Sequence, residues 1–294
     1  MKYVITGSTG HISKPLSLQL IKAGHNVTIV TSNPDKVTEI EALGAKAAVG
    51  SIEDVPFLTK TFTGADAVYT MVPPKWDAAN WKEYIHDMGK NYAQALKAAG
   101  VKKIVNLSSI GAHMPTGCGP VSGIHFVEKE LNAIEGADIK HLRPGYFYYN
   151  LLSNIGLIQH AGIMGGNYGT TPLVMVHPAD IAAVAAEELL ALNFSGVSFR
   201  YIAGGEYPTT EIATVIGNAI KKPNLPWVNF TNEESLNGML GAGLSKEVAE
   251  NYTEMGSAIA SGEMFSDYYQ HKPVLSPTKL EDFAKEFAAA YANS

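Results

Sequence analysis

The residues Tyr3-Val4-Ile5-Thr6-Gly7-Ser8-Thr9-Gly10-His11-Ile12-Ser13 stand at the start of the chain. Tyr3 to Thr6 is a short apolar run that fits a buried strand, and from Ile12 to Ala23 the apolar residues Leu16, Leu20 and Ile21 share one helical face. Pro15 falls in the first turn of that helix, where its missing N–H does little harm. Between strand and helix lies the spacing Gly-x-x-Gly-x-x-Ser. Glycine at Gly7 and Gly10 lets backbone N–H groups approach a pyrophosphate, and the helix N-terminus stabilises its negative charge. Ser13 supplies the small residue needed where helix meets strand. Strand, glycine turn and helix in this order predict a phosphate cradle made by Thr6, Gly7, Thr9, Gly10, His11 and Ile12.

Working outward, Val27 to Thr31 reads as a second strand, and Asn33-Pro34-Asp35 opens a helix that ends near Leu43-Gly44. Further buried strands are expected at 47–49, 67–71 and 104–107, with helices over about 54–63 and 77–99. Strands separated by helices of this length imply parallel βαβ crossovers and a doubly wound α/β sheet with helices on both faces. After Arg143-Pro144-Gly145 the rhythm changes to an aromatic, glycine-rich stretch with a short helical segment at 151–160. A strand at 174–176, a helix at 178–192, a strand at 199–202 and a helix at 209–220 follow. The expected division is a nucleotide-binding domain over 1–145 and a smaller α/β lobe over 146–294. Segments from about 173–203 complete the first sheet, and the lobe covers the carboxyl ends of its strands, where open α/β sheets bind ligands.

Composition narrows the function. With 46% hydrophobic and 17% charged residues the 294-residue chain can bury a large core, so disorder is excluded as a reading. A formal net charge of −6 and the absence of Lys/Arg clusters give nucleic acid or an anionic membrane no electrostatic foothold. No apolar run reaches the roughly 20 residues needed to cross a bilayer. Cys118 is the single cysteine, and the residues after Met1 lack the regions of a signal peptide, so a reducing cytoplasm is the expected location. The nine His show no ligand spacing, so no metal site is expected, and no Gly-x-Ser-x-Gly elbow of a serine hydrolase occurs.

The end of the second strand bears on which dinucleotide is held. A carboxylate there would bind a ribose 2′-OH and a cation a 2′-phosphate. Val30-Thr31-Ser32-Asn33 offers neither, but Lys36 lies one turn into the next helix. With no acid at Ser32 to repel it, a 2′-phosphate is admitted and NADP is favoured over NAD.

Taken together, Thr6-Gly7-Ser8-Thr9-Gly10, Asn33-Pro34-Asp35-Lys36, Gly100 to Ser109, Leu142-Arg143-Pro144-Gly145 and His177 to Ala182 are similar to the NmrA-like group of atypical short-chain dehydrogenases/reductases. Within it the chain most resembles the branch of triphenylmethane reductase and NAD(P)H quinone oxidoreductases. The resemblance spans nearly the whole chain and implies a Rossmann-like fold, NAD(P) as cofactor and a substrate cleft under the carboxyl-terminal lobe. Two positions depart from it: Ser32 stands where the family often has Arg, and Gly50-Ser51 where it often has Gly-Asp.

The wider superfamily pairs a proton-donating Tyr with a Lys four residues later on one helix. Here Lys129 matches the Lys, while His125 occupies the Tyr position and no Tyr lies between Tyr92 and Tyr146. An imidazole is a competent acid near neutral pH, so His125 and Lys129 are the candidate catalytic pair, with Lys129 also reaching the cofactor ribose. By the same resemblance Val72-Pro73-Pro74, Ser108 and Pro144-Gly145-Tyr146-Phe147 line the nicotinamide. Trp76, Trp81 and Tyr148, with Tyr84 and Tyr149 nearby, form an aromatic wall for a planar substrate. The expected activity is hydride transfer from NAD(P)H to a small planar apolar acceptor, a quinone or conjugated carbonyl. The alternative is a non-catalytic redox sensor that binds the same dinucleotide. The partners expected are that acceptor and, for assembly, a homodimer.

Overall fold

Residues 1–294 are described by a computed structural model. Its centre is a seven-stranded sheet in the order β10-β6-β5-β4-β1-β2-β3, with every pairing parallel. These strands are β1 (Lys2–Ile5), β2 (Asn26–Thr31), β3 (Lys46–Val49), β4 (Ala67–Thr70), β5 (Lys103–Leu107), β6 (Asp138–Pro144) and β10 (Val197–Ile202). The crossovers α1 (Ser13–Lys22), α2 (Val37–Ala42), α3 (Val55–Phe62), α4 (Trp81–Ala99) and α5 (Pro120–Asn132) connect them in turn. Because β1 is flanked by β2 on one side and β4 on the other, the strand order reverses there, and a crevice opens beyond their carboxyl ends.

Strand alternation assigns the two faces. Tyr3, Ile5, Ile29 and Tyr69 pack with Leu16 and Leu20 of α1, while Val4, Val30 and Val68 pack with Leu58, Phe62, Ile85 and Tyr92 of α3 and α4. Helix α4 starts on an Asn80 side-chain cap and stops at Gly100, whose φ of 70° is the left-handed residue that ends a helix.

After β6 the chain makes β7 (Tyr146–Phe147), a 3₁₀ turn over Tyr148–Asn154, α6 (Ile155–Ala161), β8 (Met164–Gly166) and β9 (Leu173–Val176). It returns to the main sheet with α7 (Pro178–Ala191), which packs on α1, and with β10. The rest of the lobe comprises β11 (Gly205–Tyr207), α8 (Thr209–Ala219), β12 (Trp227–Asn229), α9 (Asn232–Gly241), α10 (Lys246–Ala260), α11 (Ser266–Gln270) and α12 (Leu280–Ala292). Of the 173–203 segment, only β10 completes the seven-stranded sheet. The strand read at 174–176 lies instead in a small sheet of order β11-β9-β7, the frame of the lobe's own core of Tyr148, Met175, Ile212, Phe283 and Phe287.

In the glycine-rich stretch after β6, Gly165, Gly166 and Gly169 are packed against neighbouring side chains, while Gly156 and Gly162 face open space. Gly165 donates its N–H to Asn154 Oδ1 at 2.9 Å, β8 pairs with β12, and a Cβ on Gly165 would meet the Phe230 ring at 2.5 Å. No helix is long and apolar enough to cross a membrane.

Candidate functional site

The turn after β1 has the geometry its glycines predict. Gly7 has φ +93° and Ser8 φ +54°, so the chain reverses in the left-handed region as soon as it leaves the strand. A Cβ on Gly7 would lie 2.5 Å from Ser13 Oγ and 2.9 Å from Met71 Cγ, so the strand, the helix and the loop after β4 all close on this residue. Ser13 Oγ donates to the Thr6 carbonyl at 2.8 Å, and Thr6 Oγ1 accepts from Met71 N at 2.9 Å. Ser8 is held to β2 through its N–H on Val30 O and its hydroxyl on Thr31 Oγ1, while Gly10 N–H returns to Gly7 O.

What remains is a set of unspent donors. The N–H groups of Thr9, His11 and Ile12 have no acceptor in the protein, and no side chain caps the start of α1. In a turn otherwise so fully tied, N–H groups left open at a helix N-terminus fit a pyrophosphate. His11 is exposed and lies against the Tyr149 ring, with centroids 4.7 Å apart, which joins the loop after β1 to the segment after β7. Met71, beneath the turn, carried no signal in the sequence, because a methionine after a strand looks like any other.

At the end of β2, Ser32 is exposed, and Lys36 is engaged by a residue the sequence reading passed over. Glu39, one turn into α2, accepts from Lys36 Nζ at 2.9 Å, from Lys14 Nζ at 2.8 Å and from Thr9 Oγ1 at 3.2 Å. Hydrogen bonds from Lys14 and then Lys36 hold its carboxyl down to about 2.

On the other side of β1, Val72 and Pro73 are half-buried and Pro74 exposed. Trp76 in this loop is 53% exposed and packs against Trp81 and Tyr252, with centroids 5.2 and 6.0 Å away. Trp81 itself is only 4% exposed. It opens α4 with its backbone N–H on Glu247 of α10 and leaves its indole Nε1 without a partner, so it backs the wall while Trp76 faces outward. Tyr252 lies close enough to Tyr168 for charge on one phenol to disfavour charge on the other, and Tyr146 and Tyr168 bring their hydroxyls to 3.2 Å. Burial, then the Tyr168 neighbour, pushes the Tyr146 hydroxyl well above the usual phenol range, so it stays protonated. Tyr168 and Tyr252 are aromatic members of the crevice that sequence reasoning missed, because they come from the lobe's fold.

Several expected contacts fall elsewhere. Tyr148 is fully buried, donates to Tyr207 OH at 3.2 Å and stacks on Phe283, because the 3₁₀ turn after β7 rotates it into the lobe core; it is not a substrate wall. Phe147 packs partly buried against the core on the α1 side of the sheet. Gly145 spends its N–H on Ile202 O, and a Cβ there would sit 2.5 Å from Val174 O, so this glycine is demanded by the close approach of β9. Pro144 is buried in the β6–β10 pairing. Ser108 turns its hydroxyl inward, donating to Glu128 Oε1 at 2.5 Å, and is unavailable to a nicotinamide.

That inward hydroxyl belongs to a buried polar network. Arg143 on β6 forms a two-pronged pair with Glu128 of α5, at 2.9 and 2.6 Å, and reaches Asp267 of α11 at 3.1 Å and Tyr201 OH at 3.3 Å. Burial is the largest single influence and would raise the Glu128 carboxyl, but Arg143, His141 and the Ser108 hydroxyl together outweigh it and the net shift is downward. On α5 the residue turned to the sheet is therefore Glu128; Lys129, its neighbour, is exposed and has no ion-pair or hydrogen-bond partner for its amine. His125 is half-buried one turn earlier, with Nδ1 2.9 Å from Ala112 O. A carbonyl only accepts, so Nδ1 carries the proton in that bond. Cys118 is buried, and burial pushes its thiol up to about 12, which leaves it a packing residue.

Comparisons with known proteins agree with this geometry. The chain is 24% identical over 291 residues to an NAD(P)H azoreductase of Xenophilus azovorans, covering 98% of this chain and 97% of that protein. Its fold is similar to an NADPH-dependent quinone oxidoreductase of Escherichia coli complexed with NADPH, with TM-score 0.83, 21% identity and coverage of 97% and 99%. It is likewise similar to the Citrobacter sp. triphenylmethane reductase complexed with NADP(H), with TM-score 0.81, 19% identity and coverage of 97% and 99%. The sequence pattern described as NAD(P)H-binding matches residues 7–190, which is more than half of the chain and contains the whole cradle from Gly7 to Ser13. On that match, and on the open N–H groups it encloses, this chain belongs to the NAD(P)H-binding family.

Proposed function

We propose that the protein is an NADPH-preferring oxidoreductase that reduces a planar, largely apolar acceptor, a quinone or conjugated carbonyl. The observation that carries this reading is the unpaired donor set of Thr9, His11 and Ile12 opening on the same strand ends as the aromatic wall of Trp76, Tyr146, Tyr168 and Tyr252. The reductase names of the relatives support it. Bound NAD(P)H supplies the hydride. The Gly7–Ile12 turn anchors the pyrophosphate, and Lys36 with Lys14 gives the end of β2 a cationic side for a 2′-phosphate. The loop at Val72 and Pro73 and the wall at Trp76 exclude water and fix the acceptor's plane, which is where most of the rate gain arises in such positioning.

A proton must reach the acceptor oxygen as the hydride reaches carbon. Tyr146 is the donor this geometry favours, because its hydroxyl is protonated and hydrogen-bonded to the Tyr168 hydroxyl. His125 has its Nδ1 proton committed to the Ala112 carbonyl, so this reading gives the donor role to Tyr146.

The test is a panel of quinones and conjugated carbonyls with NADPH, followed at the nicotinamide absorbance band. Turnover with at least one acceptor is expected, and none with any would overturn the proposal. Tyr146→Phe then sorts the acceptors. With a carbonyl acceptor kcat should fall about 100-fold, since an alkoxide needs the proton in the transition state, at unchanged KM for NADPH. With a quinone the loss should be roughly tenfold or less, because the reduced oxygens take protons from water.

A further inference from the structure

The acid that a Rossmann-type strand end uses to choose between ribose forms is absent at Ser32, but a carboxylate reaches the same place from the next helix. Glu39 lies between two cations and the phosphate turn, bonded at once to Lys14 on α1, Lys36 before α2 and Thr9 in the Gly7–Gly10 loop. We propose that Glu39 is a built-in counterion that competes with a 2′-phosphate for Lys14 and Lys36, and so sets how strongly the protein prefers NADPH over NADH. This rests on the reading of the crevice as a dinucleotide site.

The chemistry follows from charge. With Glu39 in place the trio carries one net positive charge, so a 2′-phosphate gains from the lysines only by loosening the two ion pairs. A ribose 2′-OH brings no charge, leaves both pairs intact and can donate to the carboxylate. Glu39 therefore lowers NADPH affinity, spares NADH and keeps both cofactors usable. The geometry also explains why Thr9 joins in: its hydroxyl on Glu39 couples the pyrophosphate turn to the ribose end, so the carboxylate is held at the crevice and not released to solvent. The remaining acid near this end, Asp35, precedes Lys36 in an exposed turn, where Asn33 Oδ1 accepts its backbone N–H.

The experiment is calorimetric titration of NADH and NADPH into the wild type, Glu39→Gln and the double variant Glu39→Gln/Lys14→Met, with thermal melts to establish that each is folded. Glu39→Gln should tighten NADPH roughly five- to tenfold, the size of two exposed lysine–carboxylate pairs, with NADH changed less than twofold. Lys14→Met in that background should remove most of the gain, and the gain should shrink as salt rises. An NADPH/NADH affinity ratio that is unchanged or lower in Glu39→Gln would overturn the assignment. A wild type that binds neither dinucleotide would instead overturn the underlying reading of the site, so the two failures are distinct.

Discussion

Gly7→Ala is expected to cost the protein at least about 100-fold in affinity for both NADH and NADPH. Two costs fall on one methyl group. The φ of +93° lies where an L side chain is strained, and the added Cβ would stand 2.5 Å from Ser13 Oγ and 2.9 Å from Met71 Cγ. Ser13 cannot yield without giving up its bond to Thr6 O, and the Met71 side chain must swing aside as well. The turn must therefore open, and with it the alignment of the Thr9, His11 and Ile12 N–H groups. Gly10→Ala provides the graded comparison. Its Cβ would meet only Gly7 O at 3.1 Å, without a positive φ, so the loss should be nearer tenfold. Titration of both variants with each dinucleotide checks the order, and equal affinities across the series would contradict the cradle.

Arg143→Met is expected to be the most destabilising single change, at roughly 3–5 kcal/mol, because it strands a buried carboxylate while removing the partner that paired it. Glu128 is 6% exposed and Arg143 8%, so neither can turn to water in exchange. The pair also ties α5 to β6 and, through Asp267 and Tyr201, fastens the lobe helix α11 to the sheet. A fall in melting temperature on the order of 10 °C should follow. The pH dependence distinguishes this cause from a simple packing loss. In the wild type the Glu128 carboxyl is depressed, so its contribution is complete above the unfolded carboxylate value and is lost as pH falls through the folded one. In the variant the Arg143 contribution is gone while burial, the largest single influence, still raises that group, which moves it toward binding a proton on folding. The deficit should be largest near pH 7 and shrink toward pH 4.5. A deficit constant across that range would refute the buried-charge account.

The alternation of strands and helices and the phosphate turn were legible because both rest on local signals. Tyr3 to Ala23 carries an apolar strand, two glycines and an amphipathic helix in twenty-one successive positions, and the alternation that follows repeats the unit. Between Gly145 and Ile220 most elements were legible as elements but not in their placement, and the strand and helices after 220 were not read at all. The run at 173–176 is as apolar as a main-sheet strand, and nothing in its composition says that it pairs with β7 and β11 instead. Side-chain roles were the least legible. Ser108, Gly145 and Tyr148 occupy positions beside the crevice in sequence order, yet each is turned away by a contact from a distant element: Glu128, Val174 and Phe283.

The sequence by itself determined the doubly wound sheet and the dinucleotide turn, since periodicity and glycine spacing act over a few residues and need no partner. Only the tertiary structure decided what stands around that turn. Glu39 between Lys14 and Lys36, Tyr146 against Tyr168, Tyr252 against Trp76 and Arg143 on Glu128 each join residues from separate elements. Their meeting depends on the packing of helices and lobe, and a charge or phenol carries no mark in the sequence of the partner it will find.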